Sequence, residues 1–367
     1  MKIVILYLGK RGAGPMYSYE VTKALLQKNI KILAFISAES ENIYLWKELA
    51  SNYINLNLVI VNTYKNVRQF IINTFKISNY IEIIRKIKDY SPKYIYTPMV
   101  HPWHNIIISL LPSRIIKIKT IHDVKVHIGE QNLFSNFLSW IDIKLSNILI
   151  VLSEHSKEQL IKRIGVKKNI IVIPHANFGI YKQFDYNKIN KQSINNRIGF
   201  IGRINKYKGL NILLSSFKDI IKENPNLRLL IAGNGNCAEY EKDFKELNKS
   251  LDLDIRWIAD DEMASVISKV DIIILPYIEA SQSGIIPLAY SLGKPVIATM
   301  VGGIPEQVPH NTGLLISPNE PLALTNAVLE LYKNPNKILE MGENAAKYAF
   351  ENLTWEASAN IFLKHIN

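Results

Sequence analysis

The sequence predicts an α/β protein built from two doubly wound parallel sheets, and three observations support this prediction. Short aliphatic runs alternate with helical patterns along the whole chain, which is typical of parallel βαβ units. The 367 residues are 48% hydrophobic, enough to bury two cores. A polar stretch without periodicity, residues 181–196, interrupts the alternation. We therefore expect an N-terminal domain at 1–180, a linker at 181–196, a second domain at 197–345, and a C-terminal helix at 346–367 that packs back toward the first domain.

The expected strands are short runs of β-branched and aliphatic residues bounded by turn-forming residues. Helical patterns lie between them, and the last stretch, from Leu322 onward, is helical with a break near Asn334 and Pro335. Before the linker we expect strands at Ile3–Leu8, Lys31–Phe35, Leu58–Val61, Tyr94–Tyr96, Ile115–Thr120, Ile148–Leu152 and Ile170–Ile173, and after it at Ile198–Ile201, Leu227–Ala232, Ile255–Ile258, Ile272–Leu275 and Pro295–Thr299.

The charge is concentrated in the first half of the chain. Residues 1–190 carry 26 Lys and Arg against 12 Asp and Glu, a net charge of +14, whereas the remaining residues carry 18 against 20. A basic half suits an anionic membrane surface or a phosphorylated substrate. Nucleic acid is not an expected partner, because no recognised binding motif accompanies the charge. A codon bias toward Ile, Lys and Asn is an alternative explanation of the same composition.

The sequence also indicates where the protein works. No window approaches the ~20 apolar residues of a membrane span, and the N-terminal strand leads into a glycine-rich turn without a signal-peptide cleavage site. The single Cys237 excludes an internal disulfide framework and a cysteine-based zinc site. We therefore expect a cytoplasmic protein that is neither secreted nor integral to a membrane.

Two cations, Arg203 and Lys208, lie five residues apart on the loop between a predicted strand and the helix that follows Gly209. Open α/β sheets bind ligands at the carboxyl ends of their strands. Fixed positive charge at this place therefore points to an anionic, phosphorylated ligand. The alternative is an ordinary solvated basic loop.

A glycine-rich loop with Gly12, Ala13 and Gly14 separates the first strand from the first helix. Glycines let backbone amides approach a ligand, and a helix N-terminus carries about half a positive charge. The loop is not a dinucleotide-binding fingerprint, because the third glycine would fall on Tyr17. It is not a Walker loop either, since no Gly-Lys-Ser/Thr follows Gly14. A plain strand-to-helix turn is the alternative.

Four histidines follow predicted strands of the first domain. His122 has the carboxylate of Asp123 beside it, His101 and His104 lie after another strand, and His175 closes the last strand. Each could face a ligand, although a lone histidine usually has a structural role. A metal site built from His101, His104 and His122 is a weak hypothesis, because their spacing is not that of a zinc site.

Glycine-containing loops also follow strands of the second domain. Gly233, Asn234 and Gly235 suit close approach of the backbone to a base or a ribose. Asp252 and Asp254 match an Asp-x-Asp pattern that can hold a divalent ion beside a diphosphate. They fall at the expected start of a strand, which is the wrong end for a site in this architecture, so we interpret them as surface residues.

The richest polar loop runs from Glu279 through Gln282, Ser283 and Gly284. Ser and Gly amides at the start of a helix form an anion site by their geometry. A second loop ends in a double glycine and Glu306, which could accept hydrogen bonds from sugar or ribose hydroxyls or simply cap a helix.

The order of these motifs resembles that of the family-four glycosyltransferases, which are retaining enzymes of the GT-B fold. The resemblance extends from the first glycine loop to about residue 350, and its most specific matches lie in the second domain. These are Gly-Arg-x4-Lys-Gly at 202–209, Ala-Gly-x-Gly at 232–235, Pro-Tyr at 276–277, Gly-Lys-Pro-Val-Ile-Ala-Thr at 293–299 and Gly-Gly-x-Pro-Glu at 302–306.

The resemblance implies two Rossmann-like domains that face a central cleft, and it implies roles for the residues named above. Arg203 and Lys208 would neutralise the donor diphosphate and stabilise its charge as it leaves. His122 would lie near the reacting sugar. The reaction would retain the anomeric configuration and would need no metal and no other cofactor. The remaining donor contacts would come from Gly12, Ala13, Gly14, Gly202, Gly233, Asn234, Gly235, Glu279, Gln282, Ser283, Gly284 and Glu306.

The chain departs from the family pattern at one place. The family usually carries a Glu-x7-Glu motif, and its two glutamates fall here on Ala280 and Leu288. Glu279, one residue out of register, is our candidate for the first glutamate, and Glu306 for part of the ribose contact of the second. The chain is thus a variant in which the Gln-Ser-Gly loop at 282–284 would hold the sugar.

The implied function is that of a hexosyl- or N-acetylhexosaminyltransferase. It would move a sugar from a nucleotide-diphosphate donor, with a UDP-sugar favoured, to a lipid-linked saccharide in the biosynthesis of bacterial O-antigen, other lipopolysaccharide parts, capsule or exopolysaccharide. The basic first domain predicts peripheral contact with the anionic inner face of the cell membrane. Residues 105–119 and 134–150 mix aliphatic and basic side chains suitably, and ordinary core elements are the alternative for both.

Two other functions stay open. The missing glutamate pair also fits a catalytically inactive subunit that only binds a sugar nucleotide. A nicotinamide-dependent oxidoreductase is disfavoured by Tyr17, which occupies the place of the third fingerprint glycine.

Overall fold

A computed structural model describes residues 1–125, 133–165, 168–177 and 194–366 of the chain. The described residues form two compact units. The first contains those up to Pro174 and again those from Trp355, and the second contains those from His175 to Thr354. Each unit is a parallel sheet covered by helices, so the predicted α/β class with two doubly wound sheets is confirmed. Most of the expected linker, residues 181–193, lies outside the described residues.

The first unit has a seven-stranded parallel sheet with the order β3-β2-β1-β4-β5-β6-β7. The chain runs outward from β1 to β3 and then returns to the other side of β1 with β4, which makes the β1/β4 gap the switch point of the sheet. Its elements are β1 (Lys2–Tyr7), α1 (Ala13–Gln27), β2 (Lys31–Ser37), α2 (Ile43–Asn52), β3 (Leu56–Val61), α3 (Val67–Thr74), α4 (Ile77–Tyr90), β4 (Tyr94–Thr97), α5 (Pro102–Ser109), β5 (Ile116–Thr120), α6 (Leu133–Leu145), β6 (Ile148–Val151), α7 (Glu154–Ile164) and β7 (Asn169–Val172).

The second unit has a six-stranded parallel sheet with the order β10-β9-β8-β11-β12-β13. Its switch point lies between β8 and β11. A short 3₁₀ turn, Lys206–Lys208, precedes the first helix. The elements are β8 (Arg197–Ile201), α8 (Leu210–Glu223), β9 (Arg228–Ala232), α9 (Glu241–Glu246), β10 (Leu251–Asp254), α10 (Asp260–Ser268), β11 (Ile272–Leu275), α11 (Ile285–Ser291), β12 (Val296–Thr299), α12 (Ile304–Gln307), β13 (Gly313–Ile316), α13 (Pro321–Lys333) and α14 (Pro335–Asn352).

The central strands are buried on both faces. Every residue of β1 after Lys2 is buried, as are all residues of β11. In the second unit two separate hydrophobic clusters form, one around Leu275 and Ile286 and the other around Phe200 and Phe217. Helices on both faces of a parallel sheet explain why these strands are continuous apolar runs in the sequence.

Two strand predictions are wrong, and both concern an edge of the second sheet. The strand expected at Ile255–Ile258 lies instead at Leu251–Asp254, and β13 was not expected at all. In β10 the side chain of Leu251 is buried and that of Leu253 is exposed, while β13 is only half-buried throughout. β10, Leu-Asp-Leu-Asp, alternates apolar and charged residues and lacks the continuous apolar run on which the prediction depended, whereas β13 was missed although its last three residues are apolar.

The boundary expected at 345/346 also differs from the structure. It falls inside α14, whose Ala345 and Ala349 pack into the core of the second unit. The last helix, α15 (Trp355–Ile366), belongs to the first unit and packs on α1. Phe362 of this helix lies with its ring 5.1 Å from that of Tyr96.

Candidate functional site

The predicted site residues lie in two groups of loops, one in each unit. In the first unit they follow β1 and β5, and in the second they follow β8, β9, β11 and β12. These strands are at or next to the switch points of their sheets. The carboxyl ends of strands at a switch point are where open α/β sheets bind ligands.

Backbone contacts join the loops after β8 and β9 in the second unit. The Gly202 N–H donates to the Ala232 carbonyl at 2.9 Å, and the Ile204 N–H donates to the Asn234 carbonyl at 2.8 Å. A side chain at Gly233, whose φ is 139°, would overlap the Gly202 carbonyl, and one at Gly235 would overlap the Ile204 carbonyl. The glycines of Gly-x-Gly are therefore required by close packing of backbone against backbone.

Lys208 folds back over this loop, and Arg203 is exposed on it. The Lys208 Nζ lies 5.1 Å from the ring centroid of Tyr277 and 3.2 Å from where a Cβ on Gly202 would be. A cation at this distance from an aromatic face is held by about 0.5–1 kcal/mol. The ammonium is therefore held beside the carboxyl end of β8, where an anionic ligand was expected.

Gln307 holds the polar loop at Ser283 in place. Its Oε1 accepts from the Ser283 N–H at 2.7 Å, and its Nε2 donates to the Ser283 carbonyl at 3.1 Å. The Ser283 hydroxyl lies 3.3 Å from the Tyr277 hydroxyl. Ser283 is thus fixed through both backbone groups and its side chain. Tyr277 and Gln307 were not predicted, although the Pro-Tyr and Gly-Gly-x-Pro-Glu motifs stand beside them.

The other residues of the polar loop differ in their surroundings. The Oε1 of the half-buried Gln282 is buried without a hydrogen-bond partner among the described residues. Glu279 is half-buried and Glu306 is exposed on α12. A Cβ on Gly284 would lie 3.6 Å from the Nε2 of the buried His175, so that histidine adjoins the loop.

In the first unit, the glycine loop has open space beside Gly12, unlike the loops at Gly233 and Gly235. Gly12, with φ 93°, has nothing within 4 Å of where a Cβ would be, and Ala13 is exposed. The Gly12 N–H donates to Oε1 of Glu41 at 3.1 Å. A Cβ on Gly14, by contrast, would lie 2.9 Å from the Tyr7 hydroxyl. The amide at the start of α1 is therefore already bonded to a carboxylate of the same unit, and its predicted contact with a donor stays a prediction.

His122 is held as a neutral imidazole directly after β5. Its Nε2 lies 2.9 Å from the Pro98 carbonyl, which can only accept, so we assign the proton to Nε2 and the lone pair to Nδ1. Burial lowers the pKa of His122; the bond to the Pro98 carbonyl and the charge of Asp123 oppose this lowering, and the charge of Lys119 adds a smaller contribution to it. The ring of Tyr17 meets the histidine edge-on at 4.8 Å. The residue that excludes a dinucleotide fingerprint thus packs against the predicted catalytic histidine.

The other two histidines of this edge have structural contacts. His101 caps α5, since its Nδ1 accepts from the Trp103 N–H at 3.2 Å, and burial lowers its pKa to about 3. His104 is buried, with Nδ1 3.1 Å from the Met99 carbonyl. Among the described residues, no three His, Cys, Asp or Glu side chains come together as a metal site would need. That the reaction needs no metal stays a prediction.

The Asp-x-Asp residues lie differently from our prediction. Asp254 is the last residue of β10, and so at its carboxyl end, although on the outermost strand of the sheet. Asp252 forms ion pairs with Arg197 and Arg228, and Asp254 pairs with Arg256 at 2.8 Å. Both carboxylates are thus engaged by arginines within the second unit.

The comparisons with known proteins agree with the second-unit motifs. Residues 195–334 match the family described as glycosyl transferases group 1 and thus form a domain of that type. A D-inositol 3-phosphate glycosyltransferase of Corynebacterium kroppenstedtii is 30% identical over 172 residues, which are 44% of this chain and 38% of that relative. The chain therefore spans about two fifths of the length of the curated relatives it matches.

Solved structures resemble the whole chain in fold. Anabaena HepE, in complex with UDP, has a TM-score of 0.74 at 16% identity over 100% of this chain and 99% of that one. The same protein in complex with UDP-glucose gives the same score at 17% identity and the same coverage. A putative UDP-N-acetylglucosamine 2-epimerase from Listeria monocytogenes has a TM-score of 0.62 at 14% identity, over 100% of this chain and 96% of that one. Since the last carries a different reaction in its name, these matches show the fold alone.

Proposed function

We propose that this chain is a retaining glycosyltransferase of family four that uses a nucleotide-diphosphate sugar, with a UDP-sugar favoured. The observation that carries the proposal is the held cation of the second unit, Lys208 over Tyr277, beside a Ser283 loop fixed by Gln307. This cluster lies within the group 1 glycosyltransferase domain. The UDP and UDP-glucose complexes of HepE, which shares the fold, favour a uridine donor.

In this proposal Arg203 and Lys208 bind the donor diphosphate. The acceptor hydroxyl attacks the anomeric carbon from the side of the leaving group. The new C–O bond forms as the bond to the diphosphate oxygen breaks, and that oxygen takes the acceptor's proton. Positive charge placed where the oxyanion develops is the main requirement. The loop at Gly12 and Gly14 places the diphosphate near the amino end of α1, where the helix dipole favours an anion, although the Gly12 N–H itself is bonded to Glu41.

His122 binds a sugar hydroxyl in the same proposal. Its Nε2–H is committed to the Pro98 carbonyl, so Nδ1 is left to accept a hydrogen bond. A neutral ring suits this role, because an imidazolium cannot accept. Gln282 and Glu279 supply sugar contacts from the second unit, and Glu306 a ribose contact. The family's glutamate positions cannot do so, since Ala280 and Leu288 are buried apolar residues.

For the acceptor we propose a lipid-linked saccharide presented at an anionic membrane surface, as in bacterial surface-polysaccharide assembly. The basic first half of the chain supports this, since each Lys or Arg near an anionic leaflet contributes about 1 kcal/mol. No helix among the described residues combines the length and the apolar character that crossing a bilayer needs.

Of the two segments that the sequence suggested for membrane contact, 134–150 has the exposed aromatic side chains Phe137 and Trp140, but 105–119 does not form such a surface. Much of 105–119 is core, since Ile107, Ile108 and Ile118 are buried. In contrast, α3 has no buried residue, and residues 65–90 carry six Lys and Arg against two Asp and Glu. The exposed apolar side chains of α3 and the start of α4 are Val67, Ile71, Ile72, Phe75, Ile77 and Ile81.

Vesicle flotation tests the membrane contact. We expect binding to vesicles that contain phosphatidylglycerol and weaker binding at high salt, because surface charges are screened. Phe75→Ser with Ile77→Ser should reduce binding. Phe350→Ser is the matched control, since Phe350 in the second unit is as exposed as Phe75, at 78% each. Equal binding to neutral and anionic vesicles would contradict the proposal.

A donor and acceptor panel tests the activity. Nucleotide release should be measured for UDP-, GDP- and dTDP-sugars, with a lipid-linked saccharide and, because of the relatives' names, with an inositol phosphate as acceptors. Release from one donor with the lipid-linked acceptor is the expected result. Donor binding without release under any combination would favour the inactive sugar-nucleotide-binding subunit. Tighter binding of a dinucleotide than of any nucleotide sugar would favour an oxidoreductase.

A further inference from the structure

The first unit contains a buried ion pair that the proposed reaction does not use. The Nζ of Lys119, on β5, lies 3.2 Å from Oδ2 of Asp142, on α6. Both side chains are almost completely buried, with 0% and 1% of their surface exposed. Such a pair is commonly no more stabilising than apolar side chains of the same size, because both charges lose their hydration. Its presence in the core therefore calls for another reason.

The lysine is connected to His122 through the loop after β4. Lys119 Nζ donates to the Met99 carbonyl at 2.8 Å, and the neighbouring Pro98 carbonyl accepts from His122 Nε2 at 2.9 Å. His104 Nδ1 also contacts the Met99 carbonyl, at 3.1 Å. Two successive carbonyls of one short loop thus join the buried lysine on one side to the predicted catalytic histidine on the other.

The same loop adjoins the glycine turn. A Cβ on Gly14 would lie 3.2 Å from Cγ of Met99, so movement of Met99 would also disturb the start of α1. Strand pairing alone holds the loop only up to Thr97, which pairs with Lys119 in the sheet register. Beyond that residue the Lys119 ammonium is the charged donor that anchors the loop.

We propose that Lys119, compensated by Asp142, is a positioning residue that anchors the Pro98–Met99 loop and thereby fixes the ring of His122 with Nδ1 available to a substrate hydroxyl. This inference rests on the proposed function for what His122 does, but not for how its ring is held. Lys119 itself is fully buried.

The charge of Lys119 also favours the neutral form of His122, in which Nδ1 can accept a hydrogen bond. Burial lowers the pKa values of His101, His104 and His122, and the Lys119 charge contributes to the lowering in each case. Burial lowers the pKa of Lys119, and the neighbouring Asp142 opposes that lowering. The charged groups that act on His122 are Lys119 on β5 and the adjacent Asp123, and the ring of Tyr17 on α1 packs against it. Lys119 in turn acts on His101 and His104 and pairs with Asp142 on α6.

Two double variants distinguish the anchoring of the Pro98–Met99 loop from the effect of the Lys119 charge. Lys119→Met with Asp142→Leu removes both charges and the bond to Met99 without leaving an orphaned charge in the core. Lys119→Gln with Asp142→Asn removes the charges but keeps an amide that can donate to Met99. Lys168→Met is the control, because Lys168 also anchors backbone of this unit, donating to the Ile143 and Ser146 carbonyls near the end of α6.

The readouts are the NMR titration of the His122 imidazole, assigned with His122→Asn, and the steady-state kinetics. The Met/Leu pair should raise the His122 pKa toward its ordinary 6.5 and shift the acid limb of the pH profile upward. It should also lower kcat on the order of tenfold to a hundredfold with little change in donor KM, because a misplaced group costs rate more than binding. The Gln/Asn pair should raise the pKa but keep most of kcat. Lys168→Met should change neither.

The inference is overturned if either folded pair titrates His122 and turns over like the parent. If the Met/Leu pair does not fold, the Gln/Asn pair decides, since a parental His122 pKa in that variant contradicts the role of the charge. The titration needs no turnover. A protein that never releases nucleotide would therefore end the proposed function, while the NMR result would still decide the role of Lys119.

Discussion

The two groups of site loops are built in different ways. In the second unit, backbone packs on backbone, so that Gly233 lies against the Gly202 carbonyl and Gly302 against the Ala280 carbonyl. In the first unit, side chains meet backbone and other side chains, so that His122 contacts Pro98 and Tyr17. The space above Gly12 is open. The packing in the second unit requires particular residue types at fixed spacing in the sequence, whereas the contacts in the first unit join residues that are far apart in the chain.

This difference explains which parts of the candidate site leave a recognisable pattern in the sequence. A close approach of two backbones admits only glycine, so the loops after β8, β9 and β12 leave a spaced pattern that can be recognised. A histidine held by a carbonyl from another strand leaves no such pattern. Four experiments test whether the contrast between the two units holds.

The largest effect is expected for Gly233→Ala. The added methyl group would overlap the Gly202 carbonyl, and φ of 139° is strained for any L residue, so we expect destabilisation of about 3 kcal/mol or more. Gly12→Ala meets open space and should cost only the ~1–3 kcal/mol of a backbone conformation (φ 93°, ψ −161°) that favours glycine. Urea unfolding of both variants measures the difference. Equal losses would remove the contrast between the two loop groups.

As the pH falls, the first unit should lose stability at a higher pH than the second unit. His101, His104 and His122 have folded pKa values below the unfolded 6.5, so their stabilising contribution is present above pH 6.5 and is lost as the pH falls toward the folded values. Each can contribute up to ~1.4 kcal/mol per pH unit in that window.

The second unit contains a group of opposite sign. Asp260 has its pKa raised to about 6, mainly by burial, so its contribution grows as the pH falls from 6 toward 3.8. Hydrogen exchange followed by mass spectrometry between pH 7 and 5 should therefore show loss of protection in the first unit at a higher pH. Simultaneous loss, or loss in the second unit first, would contradict the prediction.

Lys208→Ala should reduce kcat on the order of 10²–10³, since one charge-stabilising contact is lost at the leaving diphosphate. Lys206→Ala is the matched control on the same turn, because its ammonium is 70% exposed and pairs only at 3.9 Å with Glu239. Initial rates with saturating donor make the comparison. If the Lys208 variant is as active as the Lys206 variant, the Lys208 ammonium has no role in the reaction.

The smallest effect is expected for Gln307→Leu. It removes both hydrogen bonds that hold the Ser283 backbone, worth about 1–3 kcal/mol together in a half-buried site. The loop loosens without losing a substrate contact, so donor KM should rise several-fold while kcat changes less. Isothermal titration with the donor nucleotide checks the binding part. An unchanged affinity would show that the clamp has no role in donor binding.

The sequence predicted the fold class, most central strands and the motif loops, because fully buried strands and glycine turns leave local patterns. It did not predict the position of β10, where apolar and charged residues alternate at the edge of the sheet, and it missed β13 although that strand ends in three apolar residues. Tyr277 stood beside a recognised motif, but its contact with Lys208 depends on the fold. Lys119 looked like one of several basic residues on an aliphatic strand, because burial against Asp142 is decided by packing between distant elements.

The position of α15 has a consequence for how the chain can be made and divided. Trp355 lies against Tyr17, Phe362 against Tyr96, and the Tyr94 hydroxyl donates to the Ile366 carbonyl, so the first unit is completed by residues that are synthesised after the second unit. Domains generally fold as units in order of synthesis. Here the N-terminal unit must wait for the C-terminal helix, with the whole second unit translated in between. A fragment that stops at residue 174 would expose this surface, and the first unit could be produced alone only by joining 355–366 to it.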